Sequence, residues 1–309
     1  VIVVVAPGQG SQTPGFLAPW LEDPAVRDRV GSWSEAIGVD LIEHGTNSDA
    51  ETIKDTQLAQ PLIVAAGLIT ADALLAEDRR ALVGGVAGHS VGEFTAAAIA
   101  GVLEPTDALS LVGERGRAMA YAASLEPTGM SAVLGGDPDT VLDTIGAAGL
   151  APANFNGGGQ IVVAGPVDAL AAFAENPPAK ARVVPLSVAG AFHTHFMAPA
   201  VERVSPIAAS TTVSDPSLPI WTNADGSLVE DGRQFVDLMV RQIASPVHWD
   251  AVMDSFVASN VSGIIELAPA GALVGLAKRG LRGTPTAAIR TPEDLPAAIE
   301  LLLSAEVTA

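Results

Sequence analysis

The chain contains no cysteine. That alone excludes a disulfide framework, a zinc–thiolate site, an iron–sulfur cluster and a cysteine nucleophile. Basic residues are scarce. Sixteen Lys and Arg stand against 35 Asp and Glu, giving a formal charge of −19 over 309 residues. Such a field repels nucleic-acid phosphates and anionic membrane, so neither is expected as a partner. We find no apolar run approaching the ~20 residues of a spanning helix. The opening run from Val1 to Val5 lacks a basic flank and is stopped by Pro7, too short for a secretory signal. A cytosolic protein is expected. Apolar residues, in contrast, make up 49% of the chain, ample for a packed core. The length suggests two domains, or one large domain with an insertion.

Strand and helix patterns alternate through much of the sequence. Residues 1–6 form a β-branched run read as a buried strand, closed by the glycine turn Pro7-Gly8-Gln9-Gly10-Ser11-Gln12. Residues 20–45 read as mostly helical, with Asp23-Pro24 as a start. Residues 60–77 read as a buried helix opened by Pro61, 81–88 as a strand, 91–103 as a buried helix and 105–123 as an amphipathic helix. This order predicts an α/β fold with a parallel sheet. Between 128 and 188 the rhythm changes to βαββαβ, the ferredoxin-like pattern, with a loop over 155–159. We therefore expect a discontinuous core, 1–127 and 189–309, carrying a small inserted subdomain over 128–188. Later strands are expected near 220–222 and 264–267, and helices from 198 and over 233–242, 250–258, 273–279 and 295–303.

The strongest chemical signal is Gly88-His89-Ser90-Val91-Gly92, a G-x-S-x-G nucleophile elbow between a predicted strand and a predicted helix. A sharp turn there presents the Ser90 hydroxyl at the tip of the sheet. The Val91 N–H, at a helix N-terminus, can stabilise an oxyanion. The bland alternative is a glycine-rich turn with an N-capping serine. The turn after the first strand lacks the third glycine of a dinucleotide motif and the lysine of a P-loop. We read it as exposing a backbone N–H beside the nucleophile, with Gln9 donating.

A serine nucleophile needs a base, and five histidines are available. His89 should point away from Ser90, His44 lies in a polar stretch, and His248 has no clear site around it. His193 and His195 follow the last strand of the insertion, where a functional loop is expected, and either could be the base. The His-x-His spacing has no cysteine and no third ligand beside it, so a metal is not expected. Arg115 and Arg117 follow Ser90 by 25 and 27 residues. Each reads equally as a surface cation, for instance paired with Glu114, or as a buried fork for a carboxylate.

Several separated motifs together resemble the malonyl-CoA:acyl carrier protein transacylases of type II fatty acid synthesis. They are Pro7-Gly8-Gln9-Gly10-Ser11-Gln12, Gly88-His89-Ser90-Val91-Gly92-Glu93, Arg115-Gly116, Gly190-Ala191-Phe192-His193-Thr194 with Met197, and Arg241-Gln242 followed by Pro246-Val247 and Trp249. They run in order over essentially the whole chain. The resemblance implies an α/β-hydrolase-like core with a ferredoxin-like insertion. It implies Ser90 as nucleophile, His193 as base oriented by the main-chain carbonyl of Gln242, an oxyanion hole from the N–H groups of Gln9 and Val91, and Arg115 pairing with the malonyl carboxylate. Malonyl-CoA is then a substrate and no cofactor is needed. His195 and His248 receive no role, and Phe192 matches a pattern that accompanies malonyl over methylmalonyl selectivity.

An acidic enzyme with an anionic thioester and an acidic carrier protein needs local positive charge. Residues 267–292 contain no acid, while Lys278, Arg279, Arg282 and Arg290 are basic. We expect this segment, with Lys278, Arg279 and Arg282, to help dock the phosphates of coenzyme A or the carrier protein, against the equal alternative of a solvated helix face. A serine hydrolase, an acyltransferase domain of a polyketide synthase and an inactive carrier-binding scaffold are the competing readings. The short flanks suggest a free-standing enzyme.

Overall fold

A computed structural model describes residues 1–76, 78–188 and 190–304. Among the described residues ten strands run in chain order: β1 (Ile2–Ala6), β2 (Val83–Gly88), β3 (Thr128–Gly135), β4 (Ala151–Gly157), β5 (Gln160–Pro166), β6 (Ala181–Pro185), β7 (Ile220–Trp221), β8 (Val247–His248), β9 (Gly263–Glu266) and β10 (Thr286–Ala288). They form two sheets. The first has the order β10-β9-β1-β2-β7, and all its pairings are parallel. Every residue of β1 is buried, as a continuous β-branched run between helical layers requires.

The second sheet has the order β6-β3-β5-β4-β8. Its first four strands are mutually antiparallel and, with helices Pro138–Ala147 and Val167–Glu175, complete the βαββαβ pattern. They enclose their own apolar cluster, including Val133, Ile145, Val163 and Phe173. β8, from the far side of the chain, joins β4 in parallel and ties the small sheet to the rest of the molecule. Residue 189, the expected start of the returning core, and residues 305–309 lie outside the described residues.

The helix read as starting at Pro61 spans Thr56–Leu75 instead. Asp55 starts it, its side chain accepting from the Gln57 N–H, so Pro61 lies inside the helix. The earlier start corrects the reading that no stretch approaches spanning length. At 20 residues and a mean hydropathy of 1.8 this helix is long and apolar enough to cross a membrane. It packs instead against helices Gly92–Ala100 and Pro105–Ala123, with 78% of its most apolar window buried. The predicted end of that helix, Glu77, is outside the described residues. The region 20–45 divides into a 3₁₀ turn and helices Pro24–Ile37 and Leu41–Thr46, separated at Gly38, whose φ of 67° ends the first. The loop expected over 155–159 is shorter, because β4 continues to Gly157.

The C-terminal ends of β1, β2 and β9 point toward the small sheet. A cleft of about 510 Å³ lies between them, lined by Gly8, Ser90 and Gly271 from the turns after those strands and by Asn154, Asn156 and Val162 from β4 and β5. Ligand sites of open parallel sheets fall at this edge.

Candidate active site

β2 ends at Gly88, and helix Gly92–Ala100 begins four residues later. Ser90 makes that turn with φ of 52°, in the left-handed region that side-chain-bearing residues seldom occupy. The flanking glycines are required. A Cβ on Gly88 would sit 2.0 Å from the Gly92 carbonyl carbon, and one on Gly92 would sit 2.2 Å from the Ala6 carbonyl oxygen. Asn223 holds the turn from beside it. Its Oδ1 accepts the Ser90 N–H at 2.7 Å, and its Nδ2 donates to the Gly88 carbonyl at 2.7 Å.

His193 Nε2 lies 2.7 Å from Ser90 Oγ. Its Nδ1 lies 2.7 Å from the main-chain carbonyl of Gln242. A carbonyl can only accept, so Nδ1 carries the hydrogen and Nε2 is left as the acceptor facing the hydroxyl. Burial, reinforced by the nearby Arg115 charge, lowers the His193 pKa to about 3. The imidazole is therefore neutral at pH 7. Of the two candidate histidines, His193 is the one beside Ser90; His195 is exposed and packs on Phe196.

The two arginines separate equally clearly. Arg117 lies at the surface and pairs with Glu114 at 2.7 Å. Arg115 is 1% exposed and points into the site. Its Nη1 donates to Gln60 Oε1 at 2.7 Å, and its Nη2 donates to Gln242 Oε1 at 3.0 Å and to Ser90 Oγ at 3.3 Å. Burial lowers its pKa to about 10, leaving it charged at neutral pH. Among the described residues its Nε has no acceptor.

Gln9 and Val91 line the cleft beside Ser90. Among the described residues neither backbone N–H donates to a protein acceptor. The Gln9 side chain is anchored outside the site, donating to the Lys54 carbonyl and to Thr56 Oγ1. His89 turns away from Ser90 and pairs through Nε2 with Asn156 Oδ1 at 2.9 Å. His44 pairs with Ser48, and His248 stacks on Phe155 at 4.8 Å. Arg279 lines the cleft; Lys278 and Arg282 are exposed but lie outside its lining.

Three participants escaped the sequence reading as site residues: Asn223, Gln60 and Glu93. Asn223 follows a two-residue strand and has no motif around it. Gln60 sits in an apolar helix, where a lone amide facing inward was the available signal. Glu93 belongs to the elbow motif, and a carboxylate among small apolar residues on a buried helix was its signal.

Residues 3–294 match the acyl transferase domain family. The malonyl CoA-acyl carrier protein transacylase of Mycobacterium tuberculosis strain H37Rv is 48% identical over 96% of this chain and 98% of its own length. The crystal structure of MCAT from the same species superposes with a TM-score of 0.93, covering 96% of this chain and 99% of that one. A malonyl-transacylase solved in complex with a type II polyketide synthase acyl-carrier protein superposes with a TM-score of 0.90 at 28% identity, covering 97% and 99%. The chain belongs to the acyl transferase family and, within it, to the malonyl-CoA:acyl carrier protein transacylases.

Proposed function

We propose that the chain transfers a malonyl group from coenzyme A to the pantetheine thiol of an acyl carrier protein, through a malonyl ester on Ser90. One observation carries this reading. A serine, a neutral histidine and a buried guanidinium converge on one oxygen atom at the floor of the cleft.

In the first half-reaction Ser90 Oγ attacks the thioester carbonyl while His193 Nε2 takes its proton. The carbonyl oxygen becomes an oxyanion facing the N–H groups of Gln9 and Val91, each such donor being worth roughly 2.7–4 kcal/mol. The C–S bond then breaks, and the imidazolium returns its proton to the leaving thiolate. In the second half the carrier thiol gives its proton to Nε2 and attacks the ester. Ser90 recovers a proton as it leaves. The Gln242 carbonyl holds the ring throughout and accepts more strongly from the imidazolium.

Arg115 supports selectivity in two ways. Its fork pairs with the free malonyl carboxylate, which an acetyl group lacks. Its charge also disfavours the imidazolium that His193 must become. A bound carboxylate cancels that charge, so malonyl favours the proton transfer that acetyl leaves opposed.

Arg279, at the cleft mouth, with Lys278 and Arg282 near it, offers local positive charge to an acidic carrier protein. The cytosol is the setting that fits, with helix Thr56–Leu75 serving as a core element. Intact-protein mass spectrometry after mixing with malonyl-CoA tests the function. A malonyl adduct on the wild type, absent from Ser90→Ala, is the expected result. An adduct that survives in Ser90→Ala, or none on the wild type, would overturn it.

A further inference from the structure

We propose that Glu93 is a positioning residue for acyl transfer: its carboxylate fixes the direction of the Gln242 amide, and through that amide it aims Arg115 and braces the Ser90 elbow. The inference rests on the malonyl-transfer reading above.

Glu93 stands in the first turn of helix Gly92–Ala100 and is 1% exposed. Its Oε1 accepts the Asn223 N–H at 2.7 Å, and its Oε2 accepts Gln242 Nε2. The Gln242 amide turns its nitrogen toward Glu93, the only direction an ionised carboxyl accepts, since it offers no hydrogen. Its oxygen is then left for Arg115 Nη2 at 3.0 Å. A guanidinium has only donors. The reversed amide would set two donors face to face at Arg115 and, against the ionised carboxyl, two acceptors face to face at Glu93. The chain Glu93–Gln242–Arg115 therefore has a single polarity, fixed at the Arg115 end by a group that only donates and reinforced at the other by the ionised carboxyl.

A second branch leaves the same carboxylate. Glu93 holds the backbone of Asn223, whose side chain holds the Ser90 N–H and the Gly88 carbonyl. One buried carboxyl group thus braces both the nucleophile's turn and the carboxylate-binding arginine, without touching substrate. Burial pushes the Glu93 pKa up to about 8, against the Asn223 N–H and the Arg115 charge, which favour the ionised form; where Glu93 is protonated, the guanidinium still fixes the amide's direction from the other end. A glutamate kept merely for packing would not need two donors aimed at it.

The test is Glu93→Gln, which keeps the shape but replaces one acceptor by a donor. Rates of Ser90 acylation from malonyl-CoA and from acetyl-CoA are measured on wild type and variant, with thermal midpoints beside them. The malonyl rate should fall about tenfold to a hundredfold, as for loss of a charge-assisted hydrogen bond, and the acetyl rate distinctly less. Loss of folded protein scales both rates together, so an unchanged malonyl-to-acetyl ratio overturns the inference. Gln242→Met breaks the same chain one link closer to Arg115 and keeps the backbone carbonyl that holds His193. It should reproduce the selective loss even if Glu93→Gln folds poorly; an unselective loss there also counts against the proposal. A wild type that takes no malonyl brings down the transfer reading and this inference with it. Normal wild-type acylation with an unselective variant overturns this inference alone.

Discussion

Two strand-to-helix turns at the same edge of the parallel sheet face the same cleft, and they treat their helix N-termini in opposite ways. After β9 the chain turns through Gly271 into helix Ala272–Gly280. Glu266, the last residue of β9, accepts the N–H groups of Gly271, Leu273 and Val274, each at 2.9 Å. That N-terminus carries its own anion. After β2 the chain turns through Ser90 into helix Gly92–Ala100, and among the described residues the Val91 N–H has no protein acceptor. The same electrostatics that anchor a loop at one turn are left free at the other, where the proposed mechanism places a charge that exists only during reaction. Architecture supplies the donors; whether the chain fills them decides structure or chemistry.

Removing the base should damage the empty turn most. His193→Ala is expected to slow Ser90 acylation by ~10²–10⁴-fold, the usual worth of a positioned general base, in stopped-time mass spectrometry. The thermal midpoint should move little by comparison. A loss of only a few-fold would mean that another group takes the proton.

Arg115→Ala comes next. Malonyl acylation should drop by roughly 10–100-fold relative to acetyl, since a charged hydrogen bond is worth about 1.5–3 kcal/mol. The same change should raise the His193 pKa from about 3 toward its ordinary value, because a neighbouring positive charge is gone. Imidazole ¹⁵N shifts against pH would read that directly. Equal losses for both acyl groups would remove the carboxylate role.

The filled turn should respond in stability and not in selectivity. Glu266→Gln leaves one of the three N–H groups facing a donor. The expected cost is about 1–3 kcal/mol, seen as a lower thermal midpoint with an unchanged malonyl-to-acetyl ratio. A selective loss of malonyl transfer would erase the distinction between the two turns. The smallest effect belongs to the cleft mouth. Lys278→Glu with Arg279→Glu should raise the KM for carrier protein several-fold, more at low salt, and leave acylation by malonyl-CoA nearly unchanged.

Much of this was legible in sequence because it is local. The elbow needs glycines within two residues of Ser90. The helix Pro105–Ala123 announces itself by its periodicity and its opening proline. Asp23 and Asp137 mark helix starts by the caps they supply. What the sequence hid is held together across the chain. β8 and β10 are two and three residues long and are strands only because β4 and β9 lie beside them. The start of helix Thr56–Leu75 was misplaced because Pro61 is a louder signal than the Asp55 cap. Asn223 meets Ser90 from 133 positions away, and no spacing rule reports that. Arg115 and Arg117 look alike in sequence because only the direction each faces, inward or outward, separates them.

The most direct measurement begins with purified malonyl-enzyme, split between buffer and a pantetheine-bearing acyl carrier protein and followed by the mass of both proteins. The account predicts a stable ester in buffer and rapid movement of the malonyl mass onto the carrier. Release of free malonate at the same rate with and without the carrier would contradict it and make the protein a hydrolase.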